Sequence, residues 1–209
     1  MTHIKICGLK TLQDALDAVV AGADYLGFNF YPKSVRYIEP QACAEITSTL
    51  KKSCAHIRLV GVFVNSPVEE IRDVLDACSL DLAQLHGDET PEMLAQLAPL
   101  AFKAFRGTPL AISHYAHCEA PALLLDAAVS GSYGGTGVTA DWSIAAGLAR
   151  QYPLLLAGGL NPANVSEAVW QVNPWGVDVA SGVEASPGSK DVSKMKAFVQ
   201  AVRKAIRPV

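Results

Sequence analysis

Apolar residues along this chain follow two rhythms. Short runs of consecutive apolar positions, rich in Val, Ile, Leu and Phe, alternate with longer stretches where apolar residues recur every three or four positions. Consecutive apolar positions suit strands covered on both faces, as in a parallel sheet. The longer spacing suits helices with one buried face. The strands predicted are His3–Ile6, Tyr25–Phe30, Ile57–Val64, Asp81–Leu85, Phe102–Phe105, Ala122–Leu125, Leu154–Ala157 and Gly176–Val179. Helical signals lie between them. Leu12, Ala15, Leu16, Val19 and Val20 form one stripe, with Thr11 as cap and Gly22 as stop. Ser66 reads as a cap, Pro67 as the first helical position and Glu69 as the partner of a capping box, ahead of the buried stripe Val68, Ile71 and Leu75. Thr90-Pro91 and Asn161-Pro162 repeat the cap-then-proline start, and Asp141 and Asp191 are further caps. The last helix carries Val192, Met195, Val199, Val202 and Ile206 on one face. Weaker helical stretches follow Pro40 and Pro109.

The pattern gives eight strand-then-helix units with no segment left over, about 26 residues each, which predicts an α/β fold: a single-domain (β/α)8 TIM barrel over residues 1–209. A doubly wound open sheet is the runner-up. Its usual G-x-G-x-x-G turn is missing, because the first strand runs into Cys7-Gly8-Leu9-Lys10.

Composition narrows the class. Half of the 209 residues are hydrophobic, and the 16 Gly and 12 Pro exclude collagen-like, low-complexity and disordered chains. A formal charge of −3 without a Lys/Arg cluster argues against nucleic acid or a membrane surface as partner. Lys5, Lys10, Asp14 and Asp17 interrupt the N-terminus, so no signal peptide is expected. No apolar run approaches the roughly 18–20 residues that cross a bilayer. Cys7, Cys43, Cys54, Cys78 and Cys118 form no C-x-x-C pair and read as reduced thiols of a cytoplasmic protein. No His-x-His or His-Glu-x-x-His occurs, so neither a metal nor another cofactor is expected. A monomer is expected from the lack of an apolar surface stripe, with a homodimer as the alternative.

In a βα barrel, chemistry gathers where strands end and the following loops begin. Those points hold Cys7, Asn29, Asn65, Gln84, His86, Arg106 and Asp126, then Gly158-Gly159 and Ser181-Gly182. Glycine lets backbone N–H groups approach an anion, and the loops after the seventh and eighth strands are the usual phosphate cradle of this fold. Tight turns are the plainer reading of the same glycines. Gly134-Gly135-Thr136-Gly137 reads as a lid or as a connector. Cys7 could serve as nucleophile or base if nearby dipoles or cations depress its pKa; otherwise it is a small core residue. Asp126 emerges from Leu123-Leu124-Leu125 and could serve as an acid, or as a helix cap. His86 either contacts a ligand or makes an ordinary hydrogen bond. A Schiff-base lysine would belong at a strand end; Lys5 and Lys103 lie within strands, and Lys103 is the better of the two. Cofactor-free acid–base chemistry on a phosphorylated metabolite fits best.

At these residues the chain resembles the phosphoribosylanthranilate isomerases. The resemblance runs from Lys5-Ile6-Cys7-Gly8 to Pro187-Gly188-Ser189-Lys190-Asp191. Between them stand Ser34-Val35-Arg36-Tyr37-Ile38, Gly61-Val62-Phe63-Val64-Asn65, Gln84-Leu85-His86-Gly87-Asp88, Lys103-Ala104-Phe105-Arg106, Leu124-Leu125-Asp126, Gly134-Gly135-Thr136-Gly137, Leu156-Ala157-Gly158-Gly159-Leu160 and Gly176-Val177-Asp178-Val179. It implies an Amadori rearrangement of N-(5-phosphoribosyl)anthranilate in tryptophan biosynthesis, with Asp126 as general acid and Cys7, as thiolate, as general base. It further implies that Arg36 meets the anthranilate carboxylate and that Gly158, Gly159, Ser181 and Gly182 hold the phosphate, with Gly135, Thr136 and Gly137 in a lid. Val138 and Ala140 stand where the family often has Lys and Phe, Ala180 where Ser or Asn is frequent, and Val35 where Pro is common. Two other functions suit the same barrel: a different sugar-phosphate enzyme such as an epimerase or aldolase, and a non-catalytic binder of phosphorylated metabolites. Cys7 and Asp126 argue against the binder, because binding alone needs neither.

Overall fold

The computed structural model describes residues 1–54, 56–107, 112–115, 120–126 and 142–205. Gly135, Thr136, Gly137, Val138, Ala140, Asp141, Cys118 and Ile206 lie outside them. Eight parallel strands close into a barrel in chain order: β1 His3–Cys7, β2 Tyr25–Asn29, β3 Arg58–Phe63, β4 Leu82–Leu85, β5 Ala101–Arg106, β6 Leu123–Asp126, β7 Leu154–Ala157 and β8 Gly176–Val179. Closure pairs Lys5 of β1 with Asp178 of β8 in register. All eight strands stand where the apolar runs place them, within three residues at either end.

The consecutive apolar runs have the expected cause, because both faces of each strand are covered. One side packs against helices, through Ile4, Ile6, Leu26, Phe28, Leu59, Leu123, Leu125, Leu154 and Leu156. The other fills the barrel, through Tyr25, Val60, Leu82, Phe102, Leu124 and Leu155. Each fully buried Leu or Phe contributes about 1.5–3 kcal/mol relative to exposure.

The helices are α1 Leu12–Ala21, α2 Pro40–Ser53, α3 Val68–Ala77, α4 Pro91–Leu97, α5 Ser143–Ala149, α6 Val165–Val172 and α7 Val192–Lys204. Thr11 caps α1 by accepting from the Asp14 N–H, and Gly22, at φ +104°, ends it in the left-handed conformation. Thr90 caps α4, and Asp191 caps α7 by accepting from Ser193 and Lys194.

Other expectations fail locally. The capping box at Ser66 does not form: Pro67 is itself the N-cap, and Ser66 donates to the Glu70 carboxylate instead. Helix α6 begins at Val165, not after Asn161. Asn161 is occupied in a turn, accepting from the Ala163 N–H at 2.8 Å while its own N–H donates to Asn164 Oδ1. On α1 the buried residues are Ala15 and Ala18, while Val20 is 75% exposed. Small residues face inward there because α1 packs against α7. The eighth unit does carry an extra segment: a 3-10 turn at Ser181–Val183 and an antiparallel hairpin, β9 Glu184–Ser186 and β10 Ser189–Lys190, separate β8 from α7. Among the described residues, the unit after β5 shows only a 3-10 turn at Ile112–His114. No helix among them is long and apolar enough to cross a membrane.

Candidate active site

Because successive strand residues alternate between the two faces, the interior columns of β4, β5 and β6 climb from apolar to polar. Phe102 and Ala104 lead to Arg106, Leu124 leads to Asp126, and Leu82 leads to Gln84 and His86. The ends of these columns line a cavity of about 400 Å³ at the C-terminal mouth of the barrel. Its walls include Cys7, Asn29, Arg36, Gln84, His86, Arg106, Asp126, Gly158, Gly159, Asp178 and Ser181. A hollow of about 540 Å³ lies at the opposite end, by Met1, Pro153 and Trp175, but its lining holds no carboxylate, thiol or histidine. The smaller cavity, which gathers a thiol, carboxylates, a histidine and guanidinium groups, is the candidate site.

The structure brings Cys7, Arg36, His86, Asp126, Gly158, Gly159 and Ser181 together in this one mouth. Gly182 adjoins Ser181 in the 3-10 turn and packs against the Leu160 carbonyl of the preceding loop. A side chain at Gly182 would collide with that carbonyl, so the glycine is what allows the two loops to touch. Gly158 and Gly159 both adopt positive φ, +97° and +64°. Lys103 points away from the mouth. It is buried behind β5, 3.1 Å from Glu89, and donates to the carbonyls of Leu85, Gly87 and Ala104. That excludes it as a Schiff-base lysine facing the cavity.

Cys7 is buried at the end of β1. Its thiol lies beside Gly27, where a Cβ would stand only 2.7 Å from the sulfur. Burial pushes the thiol pKa up. The charges of Lys5 and Lys190 oppose that rise, and Asp178 adds to it. Lys5 is wholly buried two residues before Cys7 on the same strand face and is paired with Asp178 at 2.9 Å. Burial would lower the Lys5 pKa, but Asp178 and Cys7 outweigh it and raise it, so the lysine stays cationic beneath the thiol.

His86 accepts at Nδ1 from the Gln84 amide nitrogen, 3.2 Å away, which leaves the imidazole proton on Nε2. Burial and the neighbouring Arg106 charge lower its pKa, so the ring is neutral near pH 7. Among the described residues, Gln84 Oε1 and His86 Nε2 are buried without a hydrogen-bond partner. Asp126 lies at the end of β6, between Arg106 and Ala157 in register. Around the barrel, β7 and β8 separate it from Cys7.

Arg36 follows β2, and its guanidinium is already engaged. Nε and Nη2 donate to the two carboxylate oxygens of Glu184 at 2.7 and 2.8 Å. Burial would raise the Glu184 pKa, but hydrogen bonds from Arg36 and the Lys190 charge hold it below the ordinary glutamate value. Glu184, Lys190, Gly27 and the Lys5–Asp178 pair were not singled out by the residue patterns. The only signal for Glu184 is its place directly after Ser181-Gly182-Val183.

A polar mouth at the C-terminal end of a closed eight-stranded barrel, holding a thiol, a carboxylate, a histidine and a guanidinium, defines an enzyme of the (β/α)8-barrel class. Comparison with known proteins narrows the class. The family model described as N-(5'phosphoribosyl)anthranilate (PRA) isomerase matches residues 4–201. N-(5'-phosphoribosyl)anthranilate isomerase of Roseiflexus sp. (strain RS-1) is 50% identical over 213 residues, covering 98% of this chain and 99% of the relative. The Geobacter metallireducens enzyme of the same name is 44% identical, covering 96% and 98%. The crystal structure of phosphoribosyl anthranilate isomerase from Thermotoga maritima superposes with a TM-score of 0.87 at 39% identity, covering 98% of this chain and all of that one. The chain belongs to the phosphoribosylanthranilate isomerase family.

Proposed function

We propose that this chain converts N-(5-phosphoribosyl)anthranilate to 1-(2-carboxyphenylamino)-1-deoxyribulose 5-phosphate, an Amadori rearrangement of tryptophan biosynthesis. The family supplies the reaction. The observation that carries its assignment to these residues is the convergence of Cys7 from β1 and Asp126 from β6 on one cavity with Arg36 and the glycine loops. The crystal structure of phosphoribosyl anthranilate isomerase in complex with reduced 1-(o-carboxyphenylamino)-1-deoxyribulose 5-phosphate matches this chain with a TM-score of 0.84 at 37% identity, covering 98% of this chain and all of that one.

In this reading the protonated Asp126 carboxyl gives its proton to the furanose ring oxygen. The C1–O bond breaks, and the anthranilate nitrogen lone pair forms an iminium with C1. The Cys7 thiolate then removes the C2 proton. The released electron pair makes the C1–C2 double bond and neutralises the nitrogen. The resulting enolamine becomes the ketone at C2 as a proton is added at C1 and the C2 hydroxyl loses its own. One group must start protonated and the other deprotonated, which requires different surroundings for the two. Lys5, held cationic by Asp178, is the fixed charge nearest to hand for the thiolate. A base that ionises reluctantly is also strong once ionised.

The His86 Nε2–H and Gln84 Oε1 offer a donor and an acceptor to substrate oxygens. Gly158, Gly159, Ser181 and Gly182 offer backbone N–H groups to the 5-phosphate. No step calls on a metal or other cofactor.

The test is turnover of freshly generated phosphoribosylanthranilate in the presence of chelator. Cys7→Ala and Asp126→Ala should each lower kcat by about 10²–10⁴-fold while the fold is kept. A Cys7→Ala enzyme with near-normal kcat removes the thiol from its role. Wild-type protein without turnover, yet binding sugar phosphates, points to a different barrel activity.

A further inference from the structure

We propose that Glu184 positions Arg36, holding one edge of the guanidinium so that the other edge faces the cavity as the receptor for the aryl carboxylate of the substrate. The inference rests on the carboxylate-binding reading of Arg36 and extends it to a hairpin outside the eight barrel strands.

A guanidinium has five N–H donors arranged along two usable edges. Glu184 takes the side edge, through Nε at 2.7 Å and Nη2 at 2.8 Å. One N–H on Nη1 and the second on Nη2 then remain parallel along the end edge, a geometry that matches a second carboxylate. Arg36 lines the cavity, so that edge is within reach of a ligand there.

The stem of Arg36 is fixed as well. It lies flat on Gly8, where a Cβ would come within 2.5 Å of Arg36 Cδ. The hairpin is seated on the same loop: a Cβ at Gly188 would stand 2.8 Å from the Val35 carbonyl, and Lys10 Nζ donates to that carbonyl at 3.3 Å.

Charge completes the device. Glu184 alone would neutralise Arg36 and leave nothing to attract an anion. Lys190 Nζ, buried 3.0 Å from Glu184 Oε1, shares that carboxylate, so the three side chains keep one net positive charge. Lys190 is itself held by the Ala180 carbonyl at 3.0 Å, and Lys194 Nζ holds the Glu184 carbonyl at 2.7 Å. A carboxylate built to orient a cation, backed by a second cation that restores its charge, is a receptor for a planar anion and not a simple surface pair.

Glu184→Gln separates position from charge, because the two predict opposite signs. Loss of a negative charge by itself would tighten binding of an anionic substrate. Loss of positioning weakens it, since the amide turns one of the two accepting oxygens into a donor that opposes the guanidinium N–H. The probes are phosphoribosylanthranilate and N-(5-phosphoribosyl)aniline. The second lacks the carboxylate, is made from ribose 5-phosphate and aniline, and is measured as substrate or competitive inhibitor.

The expected result is a KM for phosphoribosylanthranilate raised about tenfold, with kcat little changed and the aniline compound unaffected. Glu184→Asp, which keeps the charge but shortens the reach, should show a smaller shift in the same direction and serves if the Gln variant does not fold. A KM that falls or stays constant overturns the assignment, and so does parallel weakening of both compounds. Arg36→Met run alongside tells the two readings apart. If it leaves the preference for the carboxylate intact, the Arg36 reading itself fails. If it abolishes the preference while the Glu184 variants retain it, only the positioning role of Glu184 falls.

Discussion

Cys7 carries a conflict within a single side chain. The reaction needs a thiolate, yet burial favours the thiol and the Asp178 charge adds to that preference. Lys5 and Lys190 reduce the penalty without reversing it, so the free protein holds mostly thiol at neutral pH. Alkylation of the Cys7 peptide by iodoacetamide, followed by mass spectrometry, should therefore still be accelerating at pH 9.0, the ordinary thiol value. A rate that levels off below pH 8 would show that the cations win. The residues that set this balance explain what the chain does and does not disclose when read as a line. Cys7, His86 and Asp126 announce themselves by interrupting apolar runs at strand ends. Asp178 sits inside such a run, and its partner Lys5 is 173 residues away. Glu184 and Arg36 are 148 residues apart, and nothing in either neighbourhood points to the other.

Elements succeed or fail by the same criterion. Strands read well because coverage on both faces leaves a run of apolar residues that few other structures produce. Helix starts read well where the cap is local, as at Thr11 and Asp191, and poorly where a proline or an Asx turn competes, as at Pro67 and Asn161. The hairpin β9–β10 is too short and too polar to leave a trace. The loops after β7 and β8 read from the sequence as parts of one phosphate cradle, and in the fold they touch at Gly182 and the Leu160 carbonyl. Gly182→Ala should force them apart and weaken phosphate recognition more than chemistry. We expect KM and the inhibition constant of inorganic phosphate to rise together, with a modest loss of thermal stability. An unchanged phosphate inhibition constant would take these glycines out of the cradle.

At the scale of the molecule, the barrel is shut at the seam between β1 and β8, where Lys5 and Asp178 meet in a place with almost no access to water. Removing one partner strands the other charge inside the barrel. Asp178→Ala should cost about 3–5 kcal/mol, read as a lower denaturant midpoint, whereas Lys5→Met with Asp178→Leu should recover most of it. If the double variant is no better than the sum of its single changes, the pair is not the seam's electrostatic tie.

That seam also has a temporal meaning. The strand carrying Lys5 leaves the ribosome before β8, and Asp178 follows 173 residues later. At roughly 5–20 residues per second, that interval is on the order of 10–35 s. Throughout it β8 is missing, so the barrel cannot close on β1. Its first strand waits for a neighbour, and Lys5 keeps its water until the counter-ion has been translated. Closure thus waits on β8, and until that strand is made the open edge of β1 is available for pairing with other chains.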